Sequence, residues 1–224
     1  MPYSQEPHSP PAAQRLVEAA RYALLRRLAF AMRHNMVVHL QPIGMITEVM
    51  ERRLRAATPD LAQIHDGMSR ISGFSRAAVE SCLDVVTWLA PQPGVTAPLQ
   101  DGVKDCLALV RSNFSFRGYA LQDEVGGEPL PVDRAALRSV LPACLLALTD
   151  DVASPADIAV TATVEDGLGV VSVTVTSTQG SPGFPGDPPY RVLAWHEVEA
   201  LAADDGVGIE RDGQQVRLTF QRAG

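Results

Sequence analysis

Two runs of apolar residues at helical spacing constrain this chain more than any other feature. The first is Leu25, Leu28, Met32, Met36, His39, Ile43, Ile46, Met50 and Leu54. The second is Leu61, Ile64, Met68, Ile71, Phe74, Ala78, Cys82, Val85 and Leu89. Each advances by three or four residues, the mark of a helix buried along one stripe. Between them stands Thr58-Pro59-Asp60. A residue before proline is pushed out of helix, and proline suits the first turn of a new one. The pattern predicts one helix from Pro11-Ala12 to Ala57 and a second from Pro59 to Leu89, packed as an antiparallel hairpin. Pro42, with Gly44 close behind, should interrupt and bend the first. Gly67 and Gly73 should loosen the second. A lone hairpin leaves apolar surface open, so two copies are expected to close a four-helix bundle as a homodimer.

The first stripe fills a wedge of roughly 80°, and His34 points about 160° away from its middle. It shares its side of the helix with Arg27, Gln41, Glu48 and Arg52. His39 points into the stripe. One histidine should therefore be wet and reachable, the other packed. A neutral imidazole held on a rigid helix can attack a phosphoryl donor. The plainer reading of His34 is one more solvated polar side chain.

Composition narrows the class. A chain of 224 residues has the length for one large domain or two small ones. Net charge is -7, which disfavours a nucleic-acid backbone as partner. The arginines cluster between Arg15 and Arg55, so the acidity lies in the C-terminal half. Cys82, Cys106 and Cys144 are widely spaced within apolar helical patterns and are read as reduced core cysteines of a cytoplasmic protein. No run of 18 apolar residues occurs, so no membrane span is expected. Residues 1–11 are polar and Pro-rich and are expected to form a disordered tail.

Beyond the linker Pro91-Gln92-Pro93-Gly94 the pattern turns mixed. Thr96 to Leu99 suits a short edge strand, and Asp101 can cap a helix ending by Gly118. Tyr119 to Val125 reads as a strand. Asp133 caps an apolar helix from Arg134 to Asp150, which Pro142 should kink. Ile158–Val164 and Gly169–Thr176 are β-branched runs around a turn at Glu165-Asp166-Gly167. A Gly/Pro loop from Gln179 to Pro189 precedes a helix from Arg191 to Ala203, with Trp195 packing on the sheet. Strands Gly206–Glu210 and Gln214–Gln221 flank a turn at Asp212-Gly213. The fold class is α+β: residues 12–90 form the helical hairpin, and residues 95–224 an α/β sandwich with helices on one face of a mixed sheet.

A helical hairpin with an exposed histidine, followed by this order of elements, resembles the core of a sensor histidine kinase. The run His34-x4-His39-Leu40-Gln41-x-Ile43 resembles a phosphoacceptor box that reads His, four residues, Asn, Leu, Gln, x, Ile or Val. On that match His34 is the phosphoacceptor, His39 replaces the usual asparagine, and Asn35 stands where many kinases place an acid. The helix Leu137 to Asp150 resembles the family's N-box, with Ala147 in place of the asparagine that holds magnesium; alanine offers no oxygen to a hard cation. Thr176-Ser177-Thr178-Gln179-Gly180 occupies the place of an Asp-x-Gly-x-Gly motif. Of the second glycine-rich box, the lid over the triphosphate, only Gly183 and Gly186 remain among prolines. The resemblance implies a kinase-type ATP-binding fold without nucleotide. The organisation is similar to the histidine phosphotransferases of phosphorelays. It implies a cytoplasmic protein that relays phosphoryl groups between receiver-domain aspartates, with Arg33 and Asn35 beside His34. Arg27, Gln41, Glu48 and Arg52 would meet the partner. No cofactor of its own is implied, magnesium being brought by the receiver. The partners would be response regulator receiver domains and a hybrid histidine kinase. The alternative is a pseudokinase that docks on a regulator or kinase without being phosphorylated.

Overall fold

A computed structural model describes residues 11–127, 129–184 and 190–224. Residues 1–10 of the expected tail and the loop residues 185–189, Gly186 among them, lie outside the described residues. The elements are α1 (Ala12–Leu54), α2 (Leu61–Leu89), β1 (Thr96–Pro98), α3 (Leu99–Phe116), β2 (Tyr119–Val125), β3 (Pro131–Asp133) and α4 (Arg134–Asp151). They continue with β4 (Ala156–Glu165), β5 (Leu168–Ser177), α5 (Trp195–Asp204), β6 (Gly208–Asp212) and β7 (Gln215–Phe220). The chain divides into two compact units. One holds the chain up to Arg27 together with Gly94–Gly224, and the other is Leu28–Pro93. The division after Pro93 falls within the Pro91–Gly94 linker, and α1 is shared, its residues up to Arg27 belonging to the unit that holds the C-terminal residues.

In the hairpin unit α1 continues as helix past Pro42, so the expected interruption does not occur. Asp60 caps α2, its carboxylate accepting from the N–H of Ala62 and Gln63 at 3.0 and 3.2 Å. Gly67 has a packing role rather than a loosening one. A Cβ there would meet Met50 Sδ at 2.6 Å, so the missing side chain lets α1 approach α2. Cys82 is exposed, unlike Cys106 and Cys144, which are buried as expected.

The larger unit is an α+β sandwich. Its five-stranded sheet has the order β2-β4-β5-β7-β6. Only β2 and β4 run parallel, with Tyr119 beside Ala156; the other pairs are antiparallel. Ala156, Ile158, Val160 and Ala162 alternate into the core along β4, the period-2 burial of a sheet covered on one face. The β4–β5 hairpin turns at Asp166-Gly167, both with positive φ, as a tight hairpin turn requires. The pairing of β1 with β3 into a small ribbon goes beyond what the sequence pattern predicts. Its three-residue strands place Ala97 against Val132, and strands this short leave no periodic trace.

Helix starts depart in part from the sequence expectation. Leu99, not Asp101, opens α3, because its N–H donates to Leu130 O at 2.8 Å. Asp101 sits in the first turn, where the helix dipole favours an acid. Asp133 caps α4 as expected, accepting from Ala135 and Ala136 N–H at 2.7 and 3.0 Å. The last helix begins at Trp195, four residues later than the pattern indicates. Glu197 reaches back to accept the Ala194 N–H at 2.9 Å and holds the Arg191 guanidinium through two bonds of 2.7 and 2.6 Å. That leaves Val192 to Ala194 outside the helix. Trp195 meets the Arg211 guanidinium of the edge strand β6, 4.5 Å from its ring centre. Among the described residues no helix is long and apolar enough to cross a membrane.

The Arg191–Glu197 pair yields a pH signature. Hydrogen bonds from Arg191 hold the Glu197 carboxyl below the ordinary glutamate value of 4.5. A depressed carboxylate contributes stability above its unfolded value and loses it as pH falls through the folded one. Glu197→Gln is expected to cost about 1 kcal/mol at pH 7. The difference from wild type should shrink towards zero as thermal melts are repeated at pH 4 and below.

Candidate functional site

His34 and the residues expected beside it, apart from Arg27, lie on the part of α1 that belongs to the hairpin unit. His34 is exposed and His39 is half-buried, as the stripe requires. Arg33, Gln41, Glu48 and Arg52 are exposed as well, and Asn35 is half-buried. The Arg33 guanidinium lies 5.4 Å from the centre of the Phe30 ring, a cation–π contact one helical turn from His34. His65, on α2, is exposed.

Arg27 departs from its expected place. It belongs to the larger unit and is not open to a partner. Its guanidinium donates to Asp150 through both terminal nitrogens, Nη2 at 2.8 Å. The two side chains are only 4% and 8% exposed. Helical spacing alone sets Arg27 beside Gln41 and Arg52; an acid distant in sequence takes it out of solvent. Arg117 Nη2 stands 3.7 Å from the same carboxylate. The Tyr119 hydroxyl donates near the end of α4, with Thr149 O at 2.8 Å and Val152 O at 2.6 Å. Burial raises the Tyr119 pKa above 10.0, against the pull of Arg117. Arg21 adds bonds to Asp204 at 2.8 Å and to Asp205 at 2.6 Å. Tyr22 meets Tyr190 edge-on at 5.8 Å, and Arg191 donates to Ala19 O at 3.2 Å. The first four turns of α1 are thus fastened to their unit by ion pairs, a ring contact and a backbone acceptor.

Sequence reasoning misses what else lies on the face of His34. At about 100° per residue Phe30, Val37, Val38 and Met45 all project within about 60° of the histidine. All four are exposed. The polar neighbours are conspicuous because charge stands out; the apolar ones are easily passed over because they fall outside the stripe that explains the hairpin.

The nucleotide-site positions implied by the kinase resemblance are packed inside the larger unit. Ala147 is 3% exposed and Ala143 fully buried. Nearly every residue of α4 from Ala136 to Thr149 is buried, so the helix presents no open face. The Thr149 hydroxyl is spent on Leu145 O at 3.0 Å and Leu146 O at 3.1 Å. The carboxylates that follow are held by arginines, Asp150 by Arg27 and Asp151 by Arg211 at 2.8 Å. Among the described residues no group of three or more His, Cys, Asp or Glu side chains could hold a metal ion. Gly183, read as a trace of the lid, has another reason to be glycine. The chain passes there directly against the Arg117–Gly118 backbone, where a Cβ would collide. Phe184 continues the contact, its N–H bonded to Phe116 O at 3.0 Å and its ring stacked on Phe116 at 5.3 Å.

No family model matches the chain, and no curated protein matches it. Solved structures do. The catalytic domain of histidine kinase ThkA is 18% identical with a TM-score of 0.43, over 56% of this chain and 92% of that one. A bacterial phosphotransferase is 16% identical with a TM-score of 0.40, over 97% of this chain and 100% of the other. Histidine kinase ThkA in complex with response regulator protein TrrA is 15% identical with a TM-score of 0.41, over 96% of this chain and 67% of that one.

The buried Arg27–Asp150 pair is directly testable. Arg27→Ala leaves a carboxylate buried without its main partner, a loss of about 3 kcal/mol. Calorimetry should show the melting transition of the larger unit lowered by several degrees, with a smaller drop for Arg27→Ala combined with Asp150→Ala.

Proposed function

We propose that this chain is a histidine phosphotransfer protein of a two-component phosphorelay, with His34 as phosphoacceptor and no ATP chemistry of its own. The observation that carries the proposal is an imidazole exposed on a long helix within a phosphoacceptor-like box. The alanine at position 147, buried where a kinase needs an oxygen ligand, supports the second half of the reading.

The chemistry needs little from the protein beyond placement. A neutral ring nitrogen of His34 attacks the phosphorus of a receiver's aspartyl phosphate. An N–P bond forms, the acyl P–O bond breaks, and the aspartate leaves as carboxylate. The reverse step, onto the aspartate of a second receiver, completes the relay. Magnesium, if brought by the receiver, would neutralise the phosphoryl oxygens during transfer. The helix holds the imidazole for in-line attack, so that rate comes from positioning. Arg33 adds positive charge one residue away, Asn35 stands on its other side, and Gln41, Glu48 and Arg52 border the landing surface.

The working form in this reading is a homodimer. Leu61 and Met68, expected in the stripe that packs the hairpin, are exposed instead, and with Val79, Leu83 and Val86 they form an apolar line along α2, each more than half exposed. A stripe of that length suits a second copy in a four-helix bundle.

Labelled ATP and, separately, phosphorylated receiver domains distinguish the readings. Wild type is expected to take label from a receiver and none from ATP, with at least 100-fold less in His34→Gln. Label from neither donor would leave a docking pseudokinase, and label from ATP would restore an active kinase.

A further inference from the structure

We propose that Arg111 is a built-in block on strand addition: its guanidinium occupies the open edge of β2, and without it that edge pairs with β2 of a second copy. The proposal is independent of the phosphotransfer reading. β2 is the end strand of the five-stranded sheet and pairs there with β4 alone. It is seven residues long, above the usual length of a strand. An end strand of that length presents a row of backbone donors and acceptors without a ladder partner, which is a template for pairing with another chain.

The register shows which groups face outward. The Ala156 N–H of β4 donates to Gly118 O, just ahead of β2, at 3.4 Å. Backbone groups alternate sides along a strand, so Ala120, Gln122 and Glu124 turn theirs to β4. Tyr119, Leu121, Asp123 and Val125 turn theirs away. Arg111, an exposed residue of α3, reaches that outer side. Its Nη1 donates to Leu121 O at 2.9 Å, and its Nη2 donates to the Asp123 carboxylate. The planar fork of a guanidinium can hold both oxygens at once. One side chain thus closes an acceptor in the middle of the edge and is fixed there by an acid of the same strand.

The occupant follows from register and charge. In a full antiparallel overlap of two β2 strands, Leu121 of one copy lies opposite Asp123 of the other, and Gln122 opposite Gln122. Asp123 and Glu124 then face Leu121 and Ala120, so no acid opposes an acid across the pair. The outward positions 121 and 123 form the hydrogen-bonded pairs, with the Asp123 N–H of one copy donating to the Leu121 O of the other. That is the oxygen Arg111 holds. The edge is self-complementary apart from the guanidinium, and one chain supplies both the strand and its block.

Arg111→Ala and Arg111→Met test this in the full chain, the methionine keeping an aliphatic cover over β2 without the guanidinium. A third variant adds Asp123→Pro to Arg111→Ala. The proline ring removes an outward N–H and leaves the bonds to β4 intact. Mass in solution is read by light scattering over a wide range of concentration, and circular dichroism verifies the fold. Hydrogen exchange reads the amides of Leu121 and Asp123. Both single variants are expected to associate beyond the wild-type mass at concentrations at least tenfold lower than wild type does, with slowed exchange at the two amides. The proline variant is expected to return to the wild-type mass. Single variants that keep the wild-type mass at every concentration overturn the proposal. So does association that survives Asp123→Pro, or that leaves both amides exchanging as in wild type, because either outcome assigns it to another surface. Loss of the helix signal in both single variants makes Arg111 a residue of the fold and also overturns it.

Discussion

The larger unit depends on the enclosure of α4. This helix is buried around almost its whole circumference, and a helix apolar on every side is stable only between two layers. The sheet supplies one layer, with β4 and β5 presenting valine, isoleucine and alanine to it. On the far side the unit must close over residues such as Ala143 and Ala147. The first turns of α1 belong to the same unit, with Val17, Ala20, Ala23 and Leu24 buried and Arg27 reaching the end of α4 at Asp150. A charge pair so deeply buried is held together because leaving either partner alone would cost more than the pair itself.

That enclosure commits the residues of the helix. Ala143 and Ala147 are small, apolar and buried, and the acids at the end of the helix are held by arginines. Gly183 makes the same point on a smaller scale: its missing side chain accommodates a neighbouring backbone.

The hairpin unit shows the opposite economy. Its own packing uses one stripe of each helix, and Gly67 opens a notch for Met50. Further apolar side chains remain at the surface of both helices, Phe30, Val37, Val38 and Met45 on α1 and Leu61, Met68, Val79, Leu83 and Val86 on α2.

Much of this is legible in the chain itself. The two long helices, the turn at Pro59-Asp60, the strand Tyr119–Val125, the cap at Asp133 and the exposure of His34 against the half-burial of His39 all follow from local period and capping chemistry. These depend on neighbours within a few residues. The fate of Arg27, the late start of α5 at Trp195, the pairing of β1 with β3 and the reason for Gly183 are not legible there. Each is set by a group outside the local pattern: Asp150, Arg191, Val132 or the Arg117–Gly118 backbone. Periodicity tells which side of a helix a residue occupies; only the tertiary structure decides what waits there, because burial and charge pairing are properties of the neighbours that folding brings in.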